Sequence, residues 1–350
     1  MKYLRIYEHL KERLSSGEWS VGERLPSEWE LARQYSVAYM TIRQAIGKLV
    51  QEGYVYRVRG RGTFVSERHA NSGAVLGIVL PGGWYQIDPF YFPSLVSAFV
   101  DYAAEHGYKV LTSKRAEPVT ELLHLRELNI RAVACLLIEK SDASEVEILA
   151  DHGFAVVAIN RYPGKRRLRW VAPDNFGGMC AATRYLLEIG HRKILFFAGP
   201  HNNIDARERL RGFRAAFRQM GVPLSPRAII PGEFNETSGY RRMQWLLKRR
   251  VLPTALVAAS DLAAIGAMRA LAEANVAVAD EVSVMGFGDF QVARYTHPPL
   301  STVRLPLYEL GAESAAALIA ELQNSPVRSP LSVVLPCELV IRESTAPPRE

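Results

Sequence analysis

Over the first 65 residues the apolar positions recur at helical spacing and then give way to short extended runs. Leu4, Tyr7, Leu10 and Leu14 fall on one face of a first helix, with Gly17 as its stop. Pro26-Ser27 opens a second helix. Ser27, with Glu30 three residues later, is a capping box in which each side chain satisfies the other's backbone amide, and Leu31 and Ala32 point inward. After Tyr35-Ser36-Val37 a third helix runs to about Glu52 and ends at Gly53. Its inward positions are Ile42, Ala45, Ile46, Leu49 and Val50; Thr41, Arg43, Gln44 and Lys48 stay outside. Tyr54 to Val65 reads as two strands joined at Arg59-Gly60-Arg61-Gly62. Ser66 to Gly73 is polar. From Val75 the pattern changes to short Val/Ile/Leu runs separated by 15–25 residues of helical period. The runs are Val75–Leu80, Tyr108–Leu111, Val133–Ile138, Ala155–Asn160, Lys193–Ala198, Ala228–Ile230, Ala255–Ala258 and Val282–Gly286. Alternating strand and helix predicts parallel sheets covered on both faces, and eight units exceed one compact sheet. The expectation is α/β: two lobes of doubly wound parallel sheet behind a small helical head, with a ligand cleft between the lobes.

The 350 residues are enough for two or three domains, and 48% hydrophobic with 23% charged residues is ordinary for a globular chain. No apolar run reaches the ~20 residues a spanning helix needs, and Met1-Lys2-Tyr3-Leu4-Arg5 carries no apolar signal core, so a cytoplasmic protein without membrane contact is expected. Cys135, Cys180 and Cys337 are too scattered for a disulfide framework or a zinc motif and are read as reduced thiols. The net charge of +7 says less than its placement: Thr41 to Arg61 holds Arg43, Lys48, Arg57, Arg59 and Arg61 against one acid, Glu52. Glycine-rich dinucleotide, phosphate-loop, serine-elbow and zinc-protease motifs are all missing, so no enzyme, cofactor or metal is expected. His191 and Asp261 sit at helix ends, where capping is the ordinary role.

Three helices and a two-stranded wing make a winged helix-turn-helix, whose third helix enters the major groove of a DNA duplex. Residues 3–66 resemble the GntR family through Gly17, Gly22, Leu25-Pro26-Ser27-Glu28, Glu30-Leu31-Ala32, Thr41, Arg43, Ala45, Leu49, Gly53 and Gly60-Arg61-Gly62-Thr63-Phe64-Val65. The expected DNA-contacting set is Ser27, Glu28, Tyr39, Thr41, Arg43, Gln44, Lys48, Arg59, Arg61, Gly62 and Thr63. The chain departs from the family pattern in having Trp29 in place of an arginine and Ala38-Tyr39 in place of Ser-Arg. The recognition helix thereby loses a cap of about 1 kcal/mol, and the operator is expected to be atypical. Tyr39 is either a contact to a thymine methyl or sugar, or a helix-packing residue.

Residues 75–345 resemble the effector-binding domain of the lactose-repressor (LacI/GalR) family. The matching stretches are Tyr91-Phe92, His106-Gly107-Tyr108, Asp174-Asn175, Gly190-His191, Arg207-Glu208-Arg209, Gly212-Phe213, Pro253-Thr254-Ala255, Asp261–Gly266, Val282–Phe287, Pro298–Val303 and Glu338–Ser344. Arabinose-responsive repressors share this combination of halves. The resemblance implies a cleft set of Tyr91, Phe92, Asn160, Arg161, Asp205, Arg209, Phe234, Ser260, Asp261 and Asp289. A pocket carboxylate ordinarily follows Gly-Phe in this family; here Gly288-Asp289 follows, so either Asp289 serves with a shift or that acid is absent.

The organisation expected is a head over 1–66, a linker over 67–74, an effector and dimerisation domain over 75–345 and a tail over 346–350. Lobe crossovers are expected near 172–174, 299–303 and 328–332. The function expected is a ligand-responsive, homodimeric DNA-binding repressor of carbohydrate-utilisation genes, whose operator affinity is altered by a small molecule, a sugar, between the lobes. The alternatives are a sugar-binding protein of a transport system, or a regulator answering to a purine or an acidic metabolite.

Overall fold

The computed structural model describes residues 2–15, 18–58, 60–66, 75–80, 90–114, 128, 130–137, 139, 142–323 and 332–349. Gly17, Arg59, the expected linker 67–74, and residues 328–331 of the last expected crossover lie outside them.

The head contains α1 (Lys2–Ser15), α2 (Glu28–Gln34), α3 (Tyr39–Gln51) and an antiparallel hairpin of β1 (Val55–Val58) and β2 (Gly62–Val65). Its core joins Tyr7, Leu10 and Leu14 of α1 to Leu31, Ala32, Ile42, Ala45, Ile46 and Leu49, with Leu25, Val55 and Val65 closing it from the hairpin side. Ile6 is buried on α1, and Leu4 is only half-buried. The capping box at Ser27 and Glu30 is fully formed, whereas Ala38 begins α3 with no side-chain cap. Gly53, with φ of 77°, turns the chain out of α3 in the left-handed region that disfavours any side chain.

The rest is two lobes of parallel sheet. The first follows β3 (Val75–Leu80), α4 (Tyr91–Glu105), β4 (Lys109–Lys114), β5 (Ile130–Leu136), α5 (Asp142–Asp151), β6 (Ala155–Ile159) and β7 (Arg169–Pro173). The second follows α6 (Asn175–Glu188), β8 (Ile194–Phe197), α7 (Ile204–Gln219), β9 (Ile229–Ile230), α8 (Glu236–Lys248), β10 (Ala255–Ala258), α9 (Asp261–Glu273) and β11 (Ser283–Met285). The chain then returns through β12 (Thr302–Arg304) and α10 (Leu307–Leu322) to β13 (Ser332–Leu335) and β14 (Glu338–Val340). The first sheet has the order β13-β7-β6-β5-β3-β4 and the second β11-β10-β8-β9; β12 and β14 form a separate antiparallel pair.

These orders place the functional site. Strand order reverses direction between β3 and β5 in the first sheet and between β8 and β10 in the second, leaving a crevice beyond the carboxyl ends of those strands. Every apolar run expected as a strand overlaps one, although β4 runs on to Lys114 and β5 starts at Ile130. Sequence reasoning passed over β7, β12, β13 and β14; β13 lies on the first sheet's edge and β12 and β14 have three residues each, whereas β7 begins with Arg169 and lacks a purely apolar run. Gly239 and Gly266 let α8 and α9 meet backbone against backbone: a Cβ on Gly239 would strike Ala263, and one on Gly266 would strike Glu236 and Tyr240.

Candidate functional site: an inter-lobe cleft and a helix–hairpin surface

The cleft is lined by Tyr91, Phe92, Leu136, Asn160, Asn203, Asp205, Arg209, Phe234, Ser260, Phe287, Phe290 and Leu305, around about 530 Å³ of space partly open to solvent. Tyr91 and Phe92 come from the first turn of α4, Leu136 from the end of β5, and Asn160 from just beyond β6. Asn160 sits at φ of 73°, where asparagine is one of the few side-chain-bearing residues tolerated. Its amide nitrogen donates to the Leu137 carbonyl at 3.0 Å, and its Oδ1 accepts from the Tyr91 hydroxyl at 3.2 Å.

The second lobe supplies the charge. Arg209 is buried on α7. It donates from Nε to Asn175 Oδ1 at 2.7 Å and from Nη1 to the Ala259 carbonyl at 2.6 Å. Asn175 donates in turn to Asp205 Oδ1 at 3.0 Å. The guanidinium also lies over Phe287, 4.2 Å from its centroid, and 5.2 Å from that of Phe234. Burial pushes the Asp205 carboxyl up to about 6, against the opposing pull of Arg209. Asn203 caps α7 by accepting from the Ala206 amide, and Ser260 caps α9 by accepting from Ala263 while donating to the Phe234 carbonyl. Among the described residues the lobes touch in several places. Asn202 donates to Glu139 at 2.6 Å, Arg161 lies 3.8 Å from Glu208, and Phe90 stacks on Phe290 at 5.6 Å.

Three expected cleft residues are not at the cleft. Asp289 is consumed by arginines: Arg304 donates to it at 2.7 Å, and Arg342 binds its other oxygen. With both oxygens taken it lines no part of the cleft. Asp261 is fully buried behind the cleft, where it accepts from the Phe290 amide at 2.8 Å and from the Thr302 hydroxyl at 2.5 Å. Burial pushes its carboxyl up to about 7. It does not cap α9; Ser260 does. Arg161 is half-exposed and lies over the Trp170 ring. His191 is no simple cap either. Its backbone amide closes α6 onto Leu186, but its buried ring contacts Thr254, Ser283 and the Ala346 carbonyl, pinning the C-terminal segment. Sequence reasoning missed Asn203, Phe287, Phe290, Leu136 and Leu305 as lining and Asn175 as the bridge between charges. Asn203, three residues before Ala206 at a helix start, carried a capping signal that could have found it.

On the head, Ser27, Glu28, Tyr39, Gly62 and Thr63 line one groove between α2, α3 and the hairpin, together with Arg24, Trp29, Arg57 and Gly60. Arg57 pairs with Glu28 at 2.6 Å. Arg24 packs so closely on Gly62 that a Cβ there would lie 2.7 Å from its Nε. Arg43, Gln44 and Arg61 are exposed, and Thr41 is half-buried. Lys48 turns back: its ammonium lies 4.2 Å from the Tyr7 ring centroid and 3.9 Å from Glu52. It packs on α1 and is not brought together with the groove residues. Arg24 was missed as a groove residue because its placement depends on the hairpin folding back, and Arg57, counted in the basic cluster, is held there by Glu28.

Residues 2–65 match the family described as bacterial regulatory proteins, gntR family, and residues 183–345 match the periplasmic binding protein-like domain. A sugar-binding transcriptional regulator of the LacI family from Escherichia coli, solved with phosphate, is 30% identical, with a TM-score of 0.68 over 78% of this chain and 99% of that one. The chain is a LacI-type regulator with a gntR-family head. The arabinose metabolism transcriptional repressor of Geobacillus stearothermophilus is 28% identical over 98% of this chain and 97% of its own. The transcriptional regulator CelR, solved as a cellobiose complex, is 26% identical, with a TM-score of 0.70 over 91% of this chain and 100% of that one. Among the described residues no cluster of His, Cys, Asp and Glu could hold a metal, and no helix is long and apolar enough to cross a membrane.

Proposed function

We propose that this regulator is a cytoplasmic, homodimeric repressor of carbohydrate-utilisation genes, without catalytic activity, released from or recruited to its operator by a sugar bound between the lobes. The observation that carries the reading is Arg209. It is held at two points, by Asn175 and by Ala259, inside a cleft lined by Asn160, Asn203 and Asp205. A fixed guanidinium flanked by amides and one carboxylate suits vicinal hydroxyls, and the aromatic walls suit the C–H faces of a sugar ring. Tyr91, Phe92, Phe234 and Ser260 serve with them. In the head, Arg43, Gln44 and Arg61 meet the duplex, and two heads bind a palindrome with half-sites about one helical turn apart or a multiple of it.

A purine or nucleoside effector is the second reading. It is favoured by the five aromatic rings of the lining against a single carboxylate, since a planar ring stacks where a polyol needs more acceptors. A thermal-shift panel of pentoses, hexoses, uronic acids and purines on the full chain separates the two, because a ligand that binds only the native state raises its melting temperature. The hit is then titrated into an operator complex. A hit that shifts melting but leaves operator affinity unchanged would sink the regulatory reading.

A further inference from the structure

The DNA-facing end of α2 and α3 carries large apolar side chains in water. Trp29 is 64% exposed and Met40 58% exposed, and neither belongs to the head's core. The Trp29 indole stacks on the Tyr39 ring with centroids 4.6 Å apart and planes 25° apart. The stack is held from behind. The Glu28 carboxylate lies beside the Tyr39 hydroxyl and raises its pKa, and Glu28 takes Arg57 at 2.6 Å. Both rings also line the groove that Ser27, Gly62 and Thr63 share. An exposed, rigid aromatic pair forgoes burial the folded head could otherwise gain, and such patches mark contact surfaces.

The charges around it point to the partner. The first turn of α3, Tyr39 to Ile42, contains no cation, and Arg57 is already neutralised by Glu28. Exposed cations stand on either side, at Arg43 and Arg61. A duplex drawn in by those flanking charges therefore meets, at the first turn of α3, two stacked aromatic faces and no arginine or lysine to fork onto guanine. The major groove displays one apolar group on its base edges, the 5-methyl of thymine.

We infer that the Trp29–Tyr39 stack is a thymine reader, seating one thymine 5-methyl group in each operator half-site. The inference rests on the reading that α3 enters the major groove, and it goes beyond that reading by naming the base and the atoms that recognise it.

The test uses the full-length chain. Operators are selected from a random duplex pool, and each thymine of the selected site is replaced in turn by uracil, which removes the methyl and nothing else. At one position per half-site the loss should weaken binding roughly three- to fivefold, the worth of one buried methyl. In Trp29→Ala that position should no longer distinguish thymine from uracil, and Trp29→Phe should keep part of the discrimination, which separates loss of the ring from loss of the fold. Selected operators with no required thymine would overturn the inference. So would a thymine-to-uracil penalty that is the same in Trp29→Ala as in the unaltered chain. A chain that enriches no sequence at all would instead remove the major-groove reading, and this inference with it.

Discussion

The head and the cleft solve the problem of placing charge in opposite ways. In the head the functional groups lie on the surface between Arg24 and Thr63, on elements whose ends are set by neighbours in sequence, such as Ser27 with Glu30. In the cleft they come from positions between Tyr91 and Leu305, and the central cation is buried. A surface arginine is solvated whatever its neighbours do. A buried one exists only because Asn175 and Ala259 were brought to it by two different elements. The head can therefore change its specificity one residue at a time, whereas the cleft changes as a network.

The strongest way to break this contrast is at Arg209. Arg209→Ala leaves Asn175 Oδ1 and the Ala259 carbonyl short of a buried donor, and each unsatisfied buried acceptor costs about 1–3 kcal/mol. The expected outcome is a large fall in melting temperature and loss of effector response. Operator affinity of the folded, ligand-free chain should stay nearly unchanged. Arg209→Lys, which keeps the charge but not the fork, should restore much of the stability and little of the response. An Arg209→Lys chain that answers to effector normally would show that the network is not needed.

A second test is pH. Asp205 and Asp261 are pushed up to about 6 and about 7 by burial. Their raised folded-state values mean that the stability they contribute is full below about pH 4 and is lost as pH rises through 6 and 7. Burial lowers His191, so its contribution has the opposite sign: present above about 6.5, lost as pH falls through its folded value. Between pH 5 and pH 8 the chain should lose on the order of 2–4 kcal/mol through the two carboxylates, and Asp261→Asn should flatten part of that slope. Denaturant melts across that range check it, and an unchanged slope in Asp261→Asn would remove Asp261 as the cause. No group on the groove-facing surface of the head should matter here.

The mirror-image test is Arg43→Ala, on the head. Losing one groove contact should weaken specific operator binding by about tenfold, within the 1–3 kcal/mol of a good base contact. Effector affinity measured without DNA should be the same. Equal operator affinity before and after the change would show that α3 does not read the site.

The same contrast explains what could be read in the sequence. The capping box, the wing glycines and the uncapped start of α3 were legible because each is decided within a few residues. The strand runs were legible because fully buried parallel strands are continuously apolar. Arg209, Asp205, Asn160 and Phe234 came from resemblance, since nothing local distinguishes them from surface or core residues. Asp289 was misplaced for a physical reason: its neighbours in sequence lie near the cleft, but Arg304 and Arg342, arriving from β12 and from beyond β14, claim both its oxygens. Lys48 was misplaced because the helical period shows which face a residue occupies, not whether Tyr7 of another helix offers its ammonium a better site.

The finest test is one atom in size. Ala38 has φ of −66° and ψ of 144°, the extended backbone of an N-cap, but its methyl accepts no hydrogen bond. Ala38→Ser supplies an oxygen for the amide two or three residues on, worth about 1 kcal/mol. In a unit of 60–100 residues that corresponds to a rise of about 4–8 °C in melting temperature. Hydrogen exchange of the α3 first-turn amides in the full chain reads the effect directly, and those amides should slow while cleft amides do not. Unchanged exchange would mean that these amides already have partners, and that the start of α3 is not the loose end its sequence implies. If the cap forms and operator affinity also rises, part of the head's binding free energy is being spent on ordering α3 against the duplex. The division between a locally built head and a collectively built cleft would then extend from structure to binding.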